Sequence, residues 1–278
     1  MSLYFSQWQP MFFNNLTIAQ LKCYWNANIV RAVMGIEYGG YLENPETEYE
    51  KIKAVIEAAI ENGIYVLVDW HEEHAYLPEH TAAAIQFFTN ISATYGNYPH
   101  VIYEIFNEPS NATWEVIKAY HVKVIAAIRA NDPDNVIVAG TPSWSSDVVA
   151  AAQDPINGTN IAYTFHFYAA TDGQADRDRL FKAINMSLPV FVTEYGVVQY
   201  TGNGPINETS SQAWWDFLDQ NLISYVNWSI ETNNETAAAL IANTTAAQVG
   251  DKSRWTYGGA FVNKMLWSKD QGLVCSAG

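Results

Sequence analysis

The sequence predicts a single (β/α)8 barrel that spans residues 1–278, and three observations carry this prediction. Eight short runs rich in β-branched and aromatic residues alternate with eight longer helical stretches. The runs recur every 30–35 residues or so, which is the length of one strand and its helix in such a barrel. No Gly-rich phosphate loop follows any run, which weakens the alternative of an open doubly wound sheet.

All eight strand-like runs are four to six residues long, and each is followed by polar or turn-forming residues. Apolar or alternating composition defines their interiors. We therefore expect strands at Ser2–Gln7, Ile29–Met34, Tyr65–Asp69, Val101–Phe106, Val136–Ala139, Ile161–Phe165, Val190–Thr193 and Tyr225–Trp228.

The helical stretches between the strands are bounded by Pro, Gly and Asn. Asn44 and Pro45 open the second helix, and Asn62 and Gly63 end it. Two later segments, Gly202–Asn207 and Asn233–Asp251, read as loops or partly irregular chain. The predicted helices are Ile18–Asn26, Glu46–Asn62, Thr81–Tyr95, Trp114–Ala130, Asp147–Ala152, Arg177–Met186, Ser210–Gln220 and Gly258–Trp267.

The composition excludes several classes of partner. The formal net charge is -15, so the chain lacks the basic patch that nucleic acid or an anionic membrane surface requires. No apolar stretch approaches the length of a membrane-spanning helix. Charged residues make up only 15% and aromatic residues 14%, so part of the aromatic surface is expected to bind a neutral or cationic partner.

The compartment can be read from cysteines and glycosylation sequons. Cys23 and Cys275 are either two unrelated thiols or one disulfide that joins the two ends of the fold, and the sequence leaves both open. Nine Asn-x-Ser/Thr sequons exceed the roughly three expected by chance, which favours a secreted glycoprotein over an Asn- and Thr-rich chain without glycans. The sequons begin at Asn15, Asn90, Asn111, Asn157, Asn185, Asn207, Asn227, Asn234 and Asn243. No signal peptide is recognisable, so we expect a mature or trimmed form, and Asn227 lies in a strand pattern unsuited to a glycan.

Two carboxylates stand out at the predicted carboxyl ends of strands, where barrels build their active sites. Glu108 follows the run Val101–Phe106, and Glu194 follows the run Pro189–Thr193. Two carboxyl groups that face each other across a cleft are the minimal equipment for glycoside hydrolysis, with one as the acid and the other as the nucleophile. The alternative for either residue is a salt bridge at the barrel rim.

A metal site is the competing interpretation of another segment. His71, Glu72, Glu73 and His74 follow the third strand, with His80 nearby. The helical zinc motif needs one more residue between its two histidines so that both lie on one helix face. We therefore expect a polar loop here and no metal or cofactor.

The motifs resemble those of a known family. IYEIFNEP (Ile102–Pro109) and FVTEYG (Phe191–Gly196) look like the acid/base and nucleophile motifs of glycoside hydrolase family 5, the cellulase family. DWH, HFY and NWS occur in the same order, and the similarity runs from Ser2 to the NWS motif at Asn227. The resemblance is closest to bacterial-type endo-β-1,4-glucanases.

The resemblance implies a set of site residues. Glu108 is expected to be the acid/base and Glu194 the nucleophile of a retaining mechanism. Eight family positions match in type, and three further positions resemble substrate contacts. The first set is Arg31, His71, Asn107, Glu108, His166, Tyr168, Glu194 and Trp228, and the second is Trp8, Trp144 and Glu235. The family usually has Lys where this chain has Asn233, so the distal sugar contact near Glu235 departs from the pattern.

The resemblance also implies a function. We expect a secreted, monomeric endo-β-1,4-glucanase that acts on cellulose or related β-glucans without a cofactor. The same machinery directed at β-mannan, xyloglucan or mixed-linkage glucan is an alternative. A catalytically silent carbohydrate-binding barrel is another, although both carboxylates are intact.

Overall fold

A computed structural model describes residues 1–269 and 271–275, and its centre is a sheet of seven parallel strands in sequential order. Parallel strands in chain order, each separated by helix, are the pattern of a barrel of this class. The predicted domain of residues 1–278 includes residue 270 and residues 276–278, which lie outside the described residues. The strands are β1 (Ile29–Gly35), β2 (Tyr65–His71), β3 (Val101–Glu104), β4 (Ile137–Ala139), β5 (Ile161–Tyr168), β6 (Val190–Gly196) and β7 (Tyr225–Asn227).

Helices occupy the connections, and side-chain caps start several of them. The Asn14 side chain accepts from the backbone N–H of Thr17 at the start of α1, and Asn207 caps α8 in the same way. Gly63 ends α2 with φ +64, a conformation that favours glycine. The helices are α1 (Asn15–Trp25), α2 (Pro45–Asn62), α3 (Pro78–Tyr95), α4 (Trp114–Arg129), α5 (Pro142–Ser145), α6 (Val148–Gln153), α7 (Gln174–Asn185), α8 (Glu208–Gln220) and α9 (Tyr257–Trp267).

The first predicted strand, Ser2–Gln7, is wrong as a regular strand. Ser2 bridges to β1, and Leu3 bridges to Ile230 just after β7. These isolated bridges do not extend into a ladder. The backbone N–H of Ser2 donates to the Asn227 carbonyl, and that of Leu3 donates to the Arg31 carbonyl. The segment thus divides its hydrogen bonds between two neighbours and closes the gap between β1 and β7.

Other strand ends differ from the prediction in ways that affect the site. β2, β5 and β6 run on to His71, Tyr168 and Gly196, so four predicted rim residues, His71, His166, Tyr168 and Glu194, lie within strands. β3 stops at Glu104, two residues earlier than predicted, and Glu108 therefore follows a short irregular link. The predicted last strand ends at Asn227 instead of Trp228.

The barrel interior has an apolar layer beneath a polar layer. Leu67, Ile102 and Val138 form a buried cluster on neighbouring strands, with Ile29, Ala162 and Phe191 packed against it. Side chains two residues apart on a strand face the same side. Two residues further along β1, β2 and β3 come Arg31, Asp69 and Glu104, all fully buried. The apolar layer therefore supports a charged layer directly below the rim.

The two cysteines form a disulfide, which removes the alternative of two free thiols. The Cα atoms of Cys23 and Cys275 lie 5.7 Å apart, and 252 positions separate the two residues in the sequence. Eight of the nine sequon asparagines are exposed, whereas Asn227 is buried.

No helix among the described residues is long and apolar enough to cross a membrane.

Candidate active site

Glu194 lies near the end of β6 and is held by two donors. Nη1 of Arg31 donates to Oε2 of Glu194 at 2.6 Å, and the Tyr168 hydroxyl donates to Oε1 at 2.6 Å. The Glu194 side chain is only 5% exposed. Burial alone would raise its pKa, but the Arg31 charge outweighs this and holds the pKa below its ordinary value. Glu194 is therefore an ionised, oriented carboxylate, as a nucleophile requires.

Glu108 faces Glu194 from the opposite side of the cleft. Its backbone N–H donates to the Glu72 carbonyl at 3.2 Å, which ties the link after β3 to the end of β2. Its side chain is 22% exposed, so it is the more accessible of the two carboxyl groups. Oxygens of Glu108 and Glu194 lie within 4.8 Å of each other. This spacing fits a retaining pair, which needs about 5–5.5 Å, and is too short for the 6.5–9.5 Å or so of an inverting pair.

His166 lies beside Glu108 and is a buried cation. Its Nδ1 is 2.9 Å from Oε1 of Glu108, and its Nε2 is 2.8 Å from the Thr193 hydroxyl. Burial disfavours the charged imidazole, but interactions with Glu104 and Glu108 raise its pKa to about 9. At neutral pH the Nδ1–H of His166 therefore donates to Glu108.

Two buried carboxyl groups next to Arg31 were not predicted as site residues. Glu104 accepts from Nε of Arg31 at 2.7 Å and from Nη2 at 3.1 Å. Oδ2 of Asp69 lies 3.0 Å from Nη2. Every second side chain of a strand faces the same side, and each of these two carboxyl groups lies two positions after a core residue. This alternation could have predicted both as inward-facing residues.

Asn107 completes the Arg31 contacts. Nη2 of Arg31 donates to its Oδ1 at 2.6 Å. Its carbonyl accepts from the Ser145 hydroxyl at 2.6 Å, which fixes the backbone. Because Oδ1 is occupied, the amide N–H groups of Asn107 remain the donors available to a sugar hydroxyl.

His71 and Trp228 pack together beside Arg31. Their rings stack with centroids 5.4 Å apart and an interplanar angle of 13°. Nδ1 of His71 lies 2.7 Å from Oδ2 of Asp69. Burial and the neighbouring Arg31 charge lower the pKa of His71 to about 4, so the ring is neutral at physiological pH.

Trp8 and Trp144 lie on two depressions that both reach Glu108. Trp8, with Tyr38 and His71, lines a cavity of about 320 Å³, and Trp144, with Tyr200, lines one of about 600 Å³. The exposed fractions are 50% for Trp8 and 53% for Trp144, unusually high for tryptophan. Exposed indole faces at both ends of a cleft suit the apolar faces of sugar rings.

Glu235 follows Trp228 in the sequence and lies next to Glu231, a buried carboxyl group. Its Oε2 would be 2.8 Å from a Cβ placed on Gly202, so it packs closely on that backbone. It hydrogen-bonds to Glu231, which is fully buried. Asn233, where the family usually has Lys, donates to Oε2 of Glu231 at 2.7 Å and accepts from Gln9 at 2.9 Å. The predicted sugar contact of Glu235 stays a prediction.

The segment from His71 to His74 does not converge on one point. His71 contacts Asp69, Glu72 contacts His80, and Oε2 of Glu73 accepts from the Trp144 indole at 3.2 Å. Within residues 1–269 and 271–275, the one group of three metal-type donors that converges is Glu108, His166 and Glu194. The protonated state of His166 makes it a poor ligand.

Comparisons with known proteins agree with this geometry. The family described as "Cellulase (glycosyl hydrolase family 5)" matches residues 1–234. Endoglucanase Z of Dickeya dadantii is 47% identical over 229 residues, which cover 82% of this chain and 53% of the relative. Endoglucanase A of Evansella cellulosilytica is 39% identical over 96% of this chain and 55% of its own length. The chain thus spans about half the length of these relatives.

A solved structure also matches. The catalytic domain of Thermobifida fusca endoglucanase Cel5A, as a variant in complex with cellotetraose, superposes with a TM-score of 0.91 and 32% identity. The match covers 96% of this chain and 90% of that one. The barrel, the paired carboxylates and these similarities agree: the chain belongs to the cellulase family, glycosyl hydrolase family 5.

Proposed function

We propose that the chain hydrolyses internal β-1,4 bonds of cellulose or a related β-glucan with retention of configuration. The observation that carries this proposal is the pair formed by Glu108 and Glu194, whose oxygens lie within 4.8 Å of each other. That distance leaves no room for a water molecule between the sugar and the second carboxylate, so the carboxylate itself attacks.

In the first step Glu194 attacks the anomeric carbon. Arg31 and Tyr168 leave it ionised and fix both of its oxygens. Glu108 protonates the departing oxygen with a proton that it receives from the Nδ1–H of the His166 cation, 2.9 Å away, so that His166 becomes neutral and Glu108 is again a carboxylate. Asn107 donates to the sugar 2-hydroxyl, an interaction that strengthens in the transition state.

In the second step water enters on the Glu108 side and releases the sugar. Glu108 is now the base: it takes a proton from water and passes it to Nδ1 of His166, which becomes a cation again, while the hydroxyl group bonds to the anomeric carbon. Glu194 leaves the anomeric carbon as a carboxylate that Arg31 stabilises. Two inversions at one carbon give net retention.

The substrate class is supported by the cleft and by the relatives. The exposed Trp8 and Trp144 face the two sides of Glu108, and the net charge of -15 is no obstacle to an uncharged polymer. Related proteins are named endoglucanases, and one solved relative is complexed with cellotetraose. Rates on carboxymethylcellulose, mannan, xyloglucan and mixed-linkage glucan would distinguish the alternatives, and turnover of any of them excludes a silent binding barrel.

Two alanine variants test the chemistry. Glu194→Ala and Glu108→Ala should each abolish hydrolysis and keep the melting temperature close to that of the wild type. Azide should then rescue Glu194→Ala and give an α-glycosyl azide, whereas rescue of Glu108→Ala should give the β-product. The reverse pattern would exchange the two roles, and near-wild-type activity in either variant would refute the assignment.

We also propose that the protein is a secreted, monomeric glycoprotein. The disulfide between Cys23 and Cys275 is typical of an oxidising compartment, and eight sequon asparagines are exposed. Protein from its natural source should lose mass on N-glycosidase treatment and elute as a monomer by light scattering. An unchanged mass would remove the glycan proposal, and a dimer mass would remove the monomer.

A further inference from the structure

Nη2 of Arg31 faces three acceptor groups but carries only two hydrogens. Nη1 serves Glu194, and Nε serves Glu104. Nη2 carries two hydrogens, which go to Glu104 at 3.1 Å and to Asn107 at 2.6 Å. Asp69 lies 3.0 Å from the same nitrogen, but no hydrogen is left for it.

The charges lead to the same distinction between Glu104 and Asp69. One guanidinium faces three buried carboxyl groups, and ionising all three so far from the surface is costly. Glu104 receives a bidentate bond from Arg31, and its Oε1 also lies 3.8 Å from Nε2 of the His166 cation. Asp69 receives no bidentate bond from Arg31, and its Oδ1 is buried without a hydrogen-bond partner.

We propose that Glu104 is the ionised positioning residue that orients Arg31 towards the nucleophile, and that Asp69 is a neutral acid that donates to Nδ1 of His71. This inference rests on the proposed function of Glu194 as the nucleophile. Glu104 is fully buried, so it acts on the nucleophile only through Arg31. It fixes the guanidinium plane, so that Nη1 meets Glu194 and Nη2 meets Asn107.

The neutral state of Asp69 determines what His71 offers to the cleft. A proton on Oδ2 of Asp69 donates across the 2.7 Å contact to Nδ1 of His71. The neutral imidazole then carries its own proton on Nε2, and His71 is a donor towards a sugar hydroxyl. Burial raises the pKa of Asp69 well above its ordinary value, whereas Arg31 overcomes burial at Glu104 and lowers its pKa to about 2.

Two isosteric amide variants separate the roles. Glu104→Gln removes a charge and one acceptor from Arg31, and we expect kcat to fall at least tenfold with KM nearly unchanged. Asp69→Asn keeps a neutral donor for His71, and we expect a smaller loss of kcat than in Glu104→Gln. An equal loss of kcat in both variants, or near-wild-type activity of Glu104→Gln, would overturn the proposal.

Titration of His166 supplies a readout that a merely structural role would not move. Followed by nitrogen NMR, the imidazole of the wild type should lose its proton near pH 9. Glu104→Gln should lower this midpoint by at least one pH unit because a neighbouring negative charge is lost. Asp69→Asn should leave it unchanged, and a lowered midpoint there would show that Asp69 is ionised.

Glu104→Asp keeps the charge but shortens the side chain, which covers the case in which Glu104→Gln does not fold. It should retain the His166 midpoint and still lose kcat, since the bidentate contact with Arg31 is broken. A lowered midpoint in this variant would contradict the charge assignment. The NMR titration does not depend on substrate, so an inactive wild type would refute the proposed function without affecting this test.

Discussion

Glu231 should make the protein less stable as the pH rises, and replacement by glutamine should remove this effect. The side chain is fully buried and accepts from the Ser229 hydroxyl and the Asn233 amide, each at 2.7 Å. Burial and a hydrogen bond with Glu235 raise its pKa from 4.5 to about 9. Folded protein therefore keeps a proton on Glu231 at pH values at which unfolded protein has lost it.

The size of the effect follows from proton linkage. Between pH 4.5 and about 9 only the folded state holds the proton, so the contribution to the free energy of unfolding is complete below pH 4.5 and declines above it. The decline is about 1.4 kcal/mol per pH unit, or about 3 kcal/mol from pH 6 to pH 8. For a chain of this length that corresponds to about 5 °C in melting temperature.

The assay is thermal unfolding of Glu231→Gln and wild type at pH 6 and pH 8. The variant should gain about 5 °C relative to the wild type between the two pH values, by the same linkage. Glu50→Gln is the matched control, because Glu50 is exposed and pairs with Lys53 at 3.3 Å. For the control, we expect the difference in melting temperature from the wild type to be the same at both pH values. The same result for Glu231→Gln would refute the proposal that Glu231 is a buried, protonated acid.

Three further predictions concern the disulfide, a tryptophan and the guanidinium. The double variant Cys23→Ser with Cys275→Ser should lose about 2–4 kcal/mol of stability in urea unfolding with an unchanged kcat, and an unchanged midpoint would contradict it. Glu73→Leu removes the acceptor of the Trp144 indole, so KM for cello-oligosaccharides should rise about threefold at constant kcat; a KM equal to that of the wild type would show that this bond does not orient Trp144. Arg31→Lys keeps the charge but loses the planar guanidinium with its several N–H donors, so kcat should fall about 100-fold. A loss under threefold would mean that the charge alone suffices.

The alternation of strands and helices was sufficient to predict the barrel, because strands buried on both faces read as continuous apolar runs. The segment Ser2–Gln7 has the same composition, yet it pairs only at Ser2 and Leu3. Its two neighbours are β1 and the chain after β7, more than 200 residues apart in the sequence. Pairing of this kind depends on how the barrel closes, and local composition does not reveal it.

The candidate site could be predicted in part for a similar reason. Residues that follow the strands, such as Glu108, are found by their position in the pattern and by family resemblance. Glu104 and Asp69 are interior residues of the barrel, and their importance comes from a guanidinium that a distant strand supplies. The cysteine count left the disulfide open, because only the fold brings Cys23 close to Cys275.

The central claim is that Glu194 forms a covalent bond with the sugar. Incubation with 2-deoxy-2-fluoro-β-cellobiosyl fluoride, a substrate whose intermediate hydrolyses slowly, followed by peptide mass spectrometry tests this directly. We predict one fluorosugar per chain, attached to the peptide that contains Glu194. A label on Glu108, or turnover of cello-oligosaccharides by a protein that is never labelled, would contradict the account.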